Sequence, residues 1–408
     1  MNKKTVFIYS TIPILGYIFF PVLFQNIPLP GLWFISLFIY IGGLFLVKPK
    51  IFLSKEFVAI YILSLIYFLL APRTENPQEQ LWLFRRVVPL FVGVSLYTYF
   101  FRYIYDPKGL RILFWFLFIC IIITCITTLF GLSMHPEASR ELASSARGDF
   151  ELASYYQKLG IAGYGFITAL AYWVPIVVLC LKNESHNFKK IIWLGTILLL
   201  LYTVIQAQYT TQLMLFLIAL VLSLMGFQKL IKYRLLLVFI GIGVIAIPST
   251  VYASMVEYLA SLLDSELLTS RLNDFASSIT GDDFFGDETH FSQRASRVPF
   301  LITQFLNSSL IGGGQSTGHV FWLDHLSLYG IVGAIPWLFL LVSIYSRIKK
   351  LVFKNFHYFQ IAFLVFILLG FFKNSGNREQ YILLFFALPT GLFLLQNNCL
   401  FKKPSGSN

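Results

Sequence analysis

Residues 112–130 read ILFWFLFICIIITCITTLF, nineteen consecutive positions without a charge. A helix needs about 17–25 apolar residues to cross the hydrocarbon of a bilayer, so this run is long enough by itself. Comparable runs lie near 5–24, 29–47, 56–71, 82–101, 160–181, 191–207, 209–226, 235–253, 322–346, 357–372 and 380–398. The expected architecture is an all-α polytopic membrane protein with about twelve transmembrane helices. Composition argues the same way. A mean hydropathy of +0.74, with 43 Phe and 22 Tyr among 408 residues, exceeds what a soluble core can bury.

Cytoplasmic loops retain Lys and Arg, whereas acidic residues contribute little to orientation. With both termini cytoplasmic, most of the 31 basic residues fall in inner segments, together with only Glu56, Asp106 and Glu184 of the 19 acidic ones. The net charge of +12 therefore reports topology, and no nucleic-acid partner is needed to explain it. The start, MNKKTVFIYSTIPILGYIFF, has the basic opening of a secretory signal but no small-x-small cleavage site, so a retained first span is expected. Cys120, Cys125 and Cys180 sit in or beside spans and Cys399 at an inner end, which suggests neither a disulfide framework nor a metal site.

Two outer segments are long. The smaller covers residues 131–160 and the larger 254–321, far beyond the usual connection of about 4–6 residues. Long loops of this kind carry function. In the larger one, apolar residues at 255, 259, 262, 263, 267, 268, 272, 275 and 279 fit an amphipathic helix resting on the membrane or capping the bundle. A second helix is expected over SQRASRVPFLITQFLNSS (292–309), with Arg294 and Arg297 on one face. Between them, Asp282, Asp283, Asp287 and Glu288, with His290, offer a divalent-cation site as the alternative to a solvated acidic run, which is the preferred reading.

Residues 310–330, LIGGGQSTGHVFWLDHLSLYG, gather glycines, two histidines and an aspartate ahead of an apolar run. GGQSTGHV has the glycine spacing of a phosphate loop, but His319 and Val320 stand where Lys and Ser or Thr belong, which excludes a nucleotide site. Continued as one helix from His319, the segment would bring His319 and Gly330 onto a shared face, since eleven steps of about 100° nearly close three turns. Gly333 would lie close to that face and admit a neighbouring span. His325 would point elsewhere. Asp324 and His325 are sequence neighbours and cannot face each other, which argues against a nucleophile triad.

The order of these features has a family likeness. Arg294, then SSLIGGG (308–314), then HVFWLDHLSLYGIVG (319–333) entering a span, resembles the second half of the O-antigen ligase and polymerase superfamily. SRELA (139–143) before GIAGYGF (160–166), and KNSGNREQYILLFFALP (373–389), look most like Wzy-type repeat-unit polymerases. Val320 replaces that family's usual Asn, Ser309 its Pro, and QYTTQ (208–212) lacks the arginine of its tight outer turn.

The resemblance implies inverting, metal-independent glycosyl transfer on the outer face of the bacterial plasma membrane. The donor would be an undecaprenyl-diphosphate-linked oligosaccharide, with no cofactor, and a flippase and a chain-length regulator as partners. His319 would act as general base on the acceptor hydroxyl. Arg294 and Arg140, assisted by Arg297 and Arg147, would hold the diphosphate. Gly312, Gly313 and Gly314 would let backbone N–H groups approach the donor, with Gly318 and Gly330 shaping the turn. Two alternatives stay open: a ligase passing finished chains to lipid A core, and a flippase. A flippase calls for ionisable groups inside the spans near the midplane, whereas the charges here concentrate in outer loops and at span ends.

Overall fold

The computed structural model describes residues 3–27, 29, 31–70, 83–145, 150–225, 258, 269, 292–318, 320–373, 375–397 and 400. Every regular element among them is helical. In chain order the main helices are α1 (Lys3–Phe19), α2 (Leu32–Val47), α3 (Lys55–Leu70), α4 (Val88–Thr98), α5 (Pro107–Met134), α6 (Ala138–Ser145), α7 (Phe150–Lys158) and α8 (Tyr164–Asn183). They continue with α9 (Asn187–Gln206), α10 (Thr210–Met225), α11 (Ser292–Asn307), α12 (Phe321–Leu351), α13 (Phe356–Phe372), α14 (Arg378–Ile382) and α15 (Leu388–Gln396).

Among the described residues, six helical stretches are long and apolar enough to cross a membrane: α5, α8, α9, α12, Phe353–Phe372 and Arg378–Gln396. Other expected runs form shorter helices. α1 stops at Phe19 because Pro21 follows, and α2 starts only after Gly31, whose left-handed φ of +74° favours glycine. The run expected over 82–101 is a composite, with α4 flanked by π-helical turns at Leu83–Val87 and Tyr99–Tyr103. A third π turn, Leu383–Ala387, joins α14 to α15. The run 235–253 and the acidic stretch 282–290 lie outside the described residues, as does the amphipathic helix expected over 255–279 apart from isolated positions.

α8 is the hub. It packs against α9, α10, α13, α14 and α15, and 83% of its apolar window is buried. Around it, α1 packs on α2 and α5, α3 packs on α12, and α4 packs on α14. Several buried polar groups pair with one another, which offsets the cost of removing them from water. Tyr40 and Ser95 share a hydrogen bond of 2.5 Å, and the Trp337 indole N–H donates to the Tyr67 hydroxyl at 2.9 Å.

One end of the bundle is tied by basic residues. Arg102 pairs with the buried Glu56 carboxylate, to which the Ser343 hydroxyl also donates at 3.0 Å. Arg347 Nε donates to the Phe101 carbonyl at 3.2 Å, and Lys4 Nζ to the Tyr105 carbonyl at 3.4 Å. α12 runs from this end to the opposite one, where its first residues meet the glycine segment.

Candidate functional site

α11 carries the backbone of Arg294 and Arg297 and packs on α12. After α11 the chain turns through three glycines in the left-handed region: Gly312 at φ +74°, Gly314 at +76° and Gly318 at +69°. The turn docks into a gap in α12. At Gly330 the backbone takes φ +58° and ψ −159°, a combination essentially confined to glycine, and the helix is interrupted there. The N–H groups freed by the break are satisfied by the turn. Ile331 N–H donates to the Ser309 carbonyl at 2.9 Å and Val332 N–H to that of Leu310 at 3.1 Å. In return the Ser327 carbonyl accepts from Gly313 N–H at 2.7 Å, and the Ser327 hydroxyl donates to the Gln315 carbonyl at 2.8 Å.

Contact is close enough to exclude side chains. A Cβ on Gly312 would lie 2.4 Å from the Leu328 carbonyl carbon, and one on Gly330 would lie 2.5 Å from that of Leu310.

The expected continuous helix from His319 is therefore corrected. α12 begins at Phe321 and breaks at Gly330, so the angular argument linking positions 319 and 330 does not apply. Gly333 also differs from expectation. Its missing side chain makes room for Tyr329 and His325 of its own helix, with a Cβ at 333 meeting Tyr329 Cβ at 2.4 Å. The N–H groups of Gly312 and Gly313 are engaged by the Ser308 and Ser327 carbonyls, which is a different use from meeting a donor molecule.

Asp324 organises the next part of the turn. Its carboxylate is 2% exposed and accepts from both sides of position 319. Oδ1 takes the Thr317 N–H at 2.6 Å and the Thr317 hydroxyl at 3.0 Å; Oδ2 takes the Val320 N–H at 2.9 Å. Asp324 N–H in turn donates to the Val320 carbonyl at 2.7 Å, the first bond of α12. An acid in the first turn of a helix is favoured by the helix dipole, and this one also satisfies a donor at the helix start. His325 faces the other way. It is 3% exposed, surrounded by Tyr67, Phe321, Tyr329 and Trp337, with Nε2 3.1 Å from the Gly333 carbonyl, as befits a packed core histidine.

α6, which carries the backbone of Arg140, is held on both sides of that residue. The Ser139 carbonyl accepts from the Tyr209 hydroxyl and the Glu141 carboxylate from that of Tyr156. Holding its proton toward that carboxylate pushes the Tyr156 hydroxyl up to about 12. The side chains of Arg140, Arg294 and Arg297 lie outside the described residues, as do the whole of Arg147 and His319. Gly313 abuts Gln304 of α11, whose Oε1 lies 3.0 Å from where a Cβ would stand. At about 1.5 Å of rise per residue, Arg294 is about 15 Å along the helix axis from that contact.

Two cations near this end were not picked out as site residues in the sequence. The Arg86 guanidinium lies 5.8 Å from the ring centre of Phe321, the first residue of α12. Arg378 lies over the rings of Tyr17 and Trp33 at 5.5 and 5.1 Å, with Nε donating to Glu379 at 3.2 Å. In the sequence, Asp324 stands out only as a neighbour of His325. Arg86 stands out only as a basic residue at the outer end of a span, read as an interfacial anchor, and Arg378 not at all, because the aromatic rings they meet come from distant helices. No family model, curated protein or solved structure matches this chain.

Proposed function

We propose that this protein polymerises lipid-diphosphate-linked oligosaccharide repeat units by inverting glycosyl transfer at the outer face of the bacterial plasma membrane, with about twelve spans and cytoplasmic termini. The acceptor hydroxyl attacks the anomeric carbon of the donor sugar while His319 takes the hydroxyl proton. The bond from that carbon to the diphosphate oxygen breaks, and the lipid diphosphate leaves with the electron pair. Arg294 and Arg140, with Arg297 and Arg147, neutralise the leaving anion, a task suited to the planar guanidinium fork.

The observation that carries this reading is the interruption of α12 at Gly330 and the glycine turn docked into it. Irregular backbone in an apolar helical bundle is retained where it is buried in protein or lines a cavity, and strained backbone clusters at functional sites. A plain spanning helix has no need of either. The docked turn also supports a fixed placement of the residues leading into α12, which chemistry by positioning requires.

The test is reconstitution of the purified chain with a lipid-diphosphate-linked oligosaccharide as sole substrate. A ladder of longer glycans is the expected result. Inertness until lipid A core is added identifies a ligase, and movement of the lipid-linked oligosaccharide across the bilayer with no change in glycan length identifies a flippase.

A further inference from the structure

We infer that Asp324 is a positioning residue for glycosyl transfer, its carboxylate holding Thr317 and Val320, which flank the proposed base in the chain. The inference rests on the reading of His319 as that base and deepens it. Three donors converge on one buried carboxylate, two from Thr317 and one from Val320. They flank position 319 in the chain. A carboxylate accepting several N–H and O–H bonds in a site it shares with little solvent is a strong anchor, because each bond is charge-assisted.

A simple helix cap is the rival explanation. It accounts for the Val320 N–H, one of the free donors at the start of α12. It does not account for Thr317, three residues upstream of Val320, whose N–H and hydroxyl both close on the same oxygen. Those two bonds tie Thr317 back onto α12, so that the described residues on either side of position 319 are held by the same carboxylate. The Ser327 hydroxyl, one turn further along α12, holds the Gln315 carbonyl. Side chains at two levels of α12 thus grip the same turn.

There is a consequence for the substrate. The Thr317 and Val320 N–H groups point at an internal anion, so this part of the turn is already occupied by negative charge. These two N–H groups are therefore not free to bind the lipid diphosphate, which the proposed reading assigns to arginine side chains.

The experiment uses the full chain in proteoliposomes, with initial rates measured against the concentration of lipid-diphosphate-linked oligosaccharide. Asp324→Asn keeps the size but turns an NH2 group toward a backbone N–H, so the turn loses one arm. The expected result is a fall in kcat of about 10- to 100-fold, the effect of a small misplacement of a reacting group, with KM changed less than about twofold. Thr317→Val removes only the hydroxyl bond from an otherwise matched side chain, and is expected to lower kcat about three- to tenfold at constant KM. It decides the matter if the Asn variant does not fold.

Wild-type kcat per folded molecule in both variants overturns the positioning role. A rise in KM at constant kcat also overturns it, since that places Asp324 on substrate binding and not on the reacting groups. The underlying reading fails separately: His319→Ala turning over like wild type removes the base, whatever Asp324→Asn does.

Discussion

Gly330 and Leu310 meet backbone to backbone, such that a Cβ on Gly330 would stand 2.5 Å from both the carbonyl carbon and the carbonyl oxygen of Leu310. The glycine turn and the break in α12 are one interlocked unit. Gly330→Ala therefore combines a disallowed backbone conformation with overpacking against main chain, and is expected to cost about 2–5 kcal/mol. Thermal unfolding of the detergent-purified variant checks this, and a melting temperature equal to wild type would show that the interlock is not needed.

Glu56 and Arg102 form an unequal pair, with side chains 2% and 32% exposed. Removing the arginine strands a carboxylate in the interior, whereas removing the acid leaves a guanidinium that already reaches solvent. Arg102→Ala is expected to destabilise by about 3–5 kcal/mol and Glu56→Gln by clearly less. Comparing the two melting temperatures tests the order; a larger loss for Glu56→Gln would contradict it.

His319→Ala is expected to abolish long glycan while leaving the protein in the membrane at wild-type amount. The check is glycan length by gel alongside protein level by immunoblot. Normal chain lengths in this variant would remove the histidine from the reaction.

Arg294→Lys keeps the charge but loses the two-pronged donor geometry, so glycan synthesis is expected to fall although the net charge is unchanged. Full activity in the lysine variant would mark Arg294 as a loop-structural cation.

Polymerisation in reconstituted vesicles is expected to continue in excess chelator, because the proposed transfer uses guanidinium groups to neutralise the leaving diphosphate. Loss of activity that a divalent cation restores would direct attention to Asp282, Asp283, Asp287 and Glu288.

The membrane class was legible from runs such as 112–130, because span length and absence of charge are properties of local sequence. That the glycines at 312–318 form a turn was legible too, but not that their N–H groups bond to the Ser308 and Ser327 carbonyls. The break at Gly330 was not. A single glycine within an apolar run reads as a tolerated helix residue, and only the arriving carbonyls of Ser309 and Leu310 make an interruption stable. Asp324 escaped for a related reason: its partners are the Thr317 hydroxyl and the backbone N–H groups of residues 317 and 320, bonds that no local pattern advertises. The π turns bordering α4 were equally invisible in the sequence.

Helix α8, enclosed by its neighbours, also constrains how this protein is made. α9 and α10 leave the ribosome directly after it, but α13 and α15 follow only from residue 356 onward. Until then one flank of α8 faces lipid or an insertase instead of its permanent companions. Biogenesis is thus completed late, and a nascent chain stalled ahead of α13 would present that bare flank as its principal mark of incompleteness to quality-control proteases.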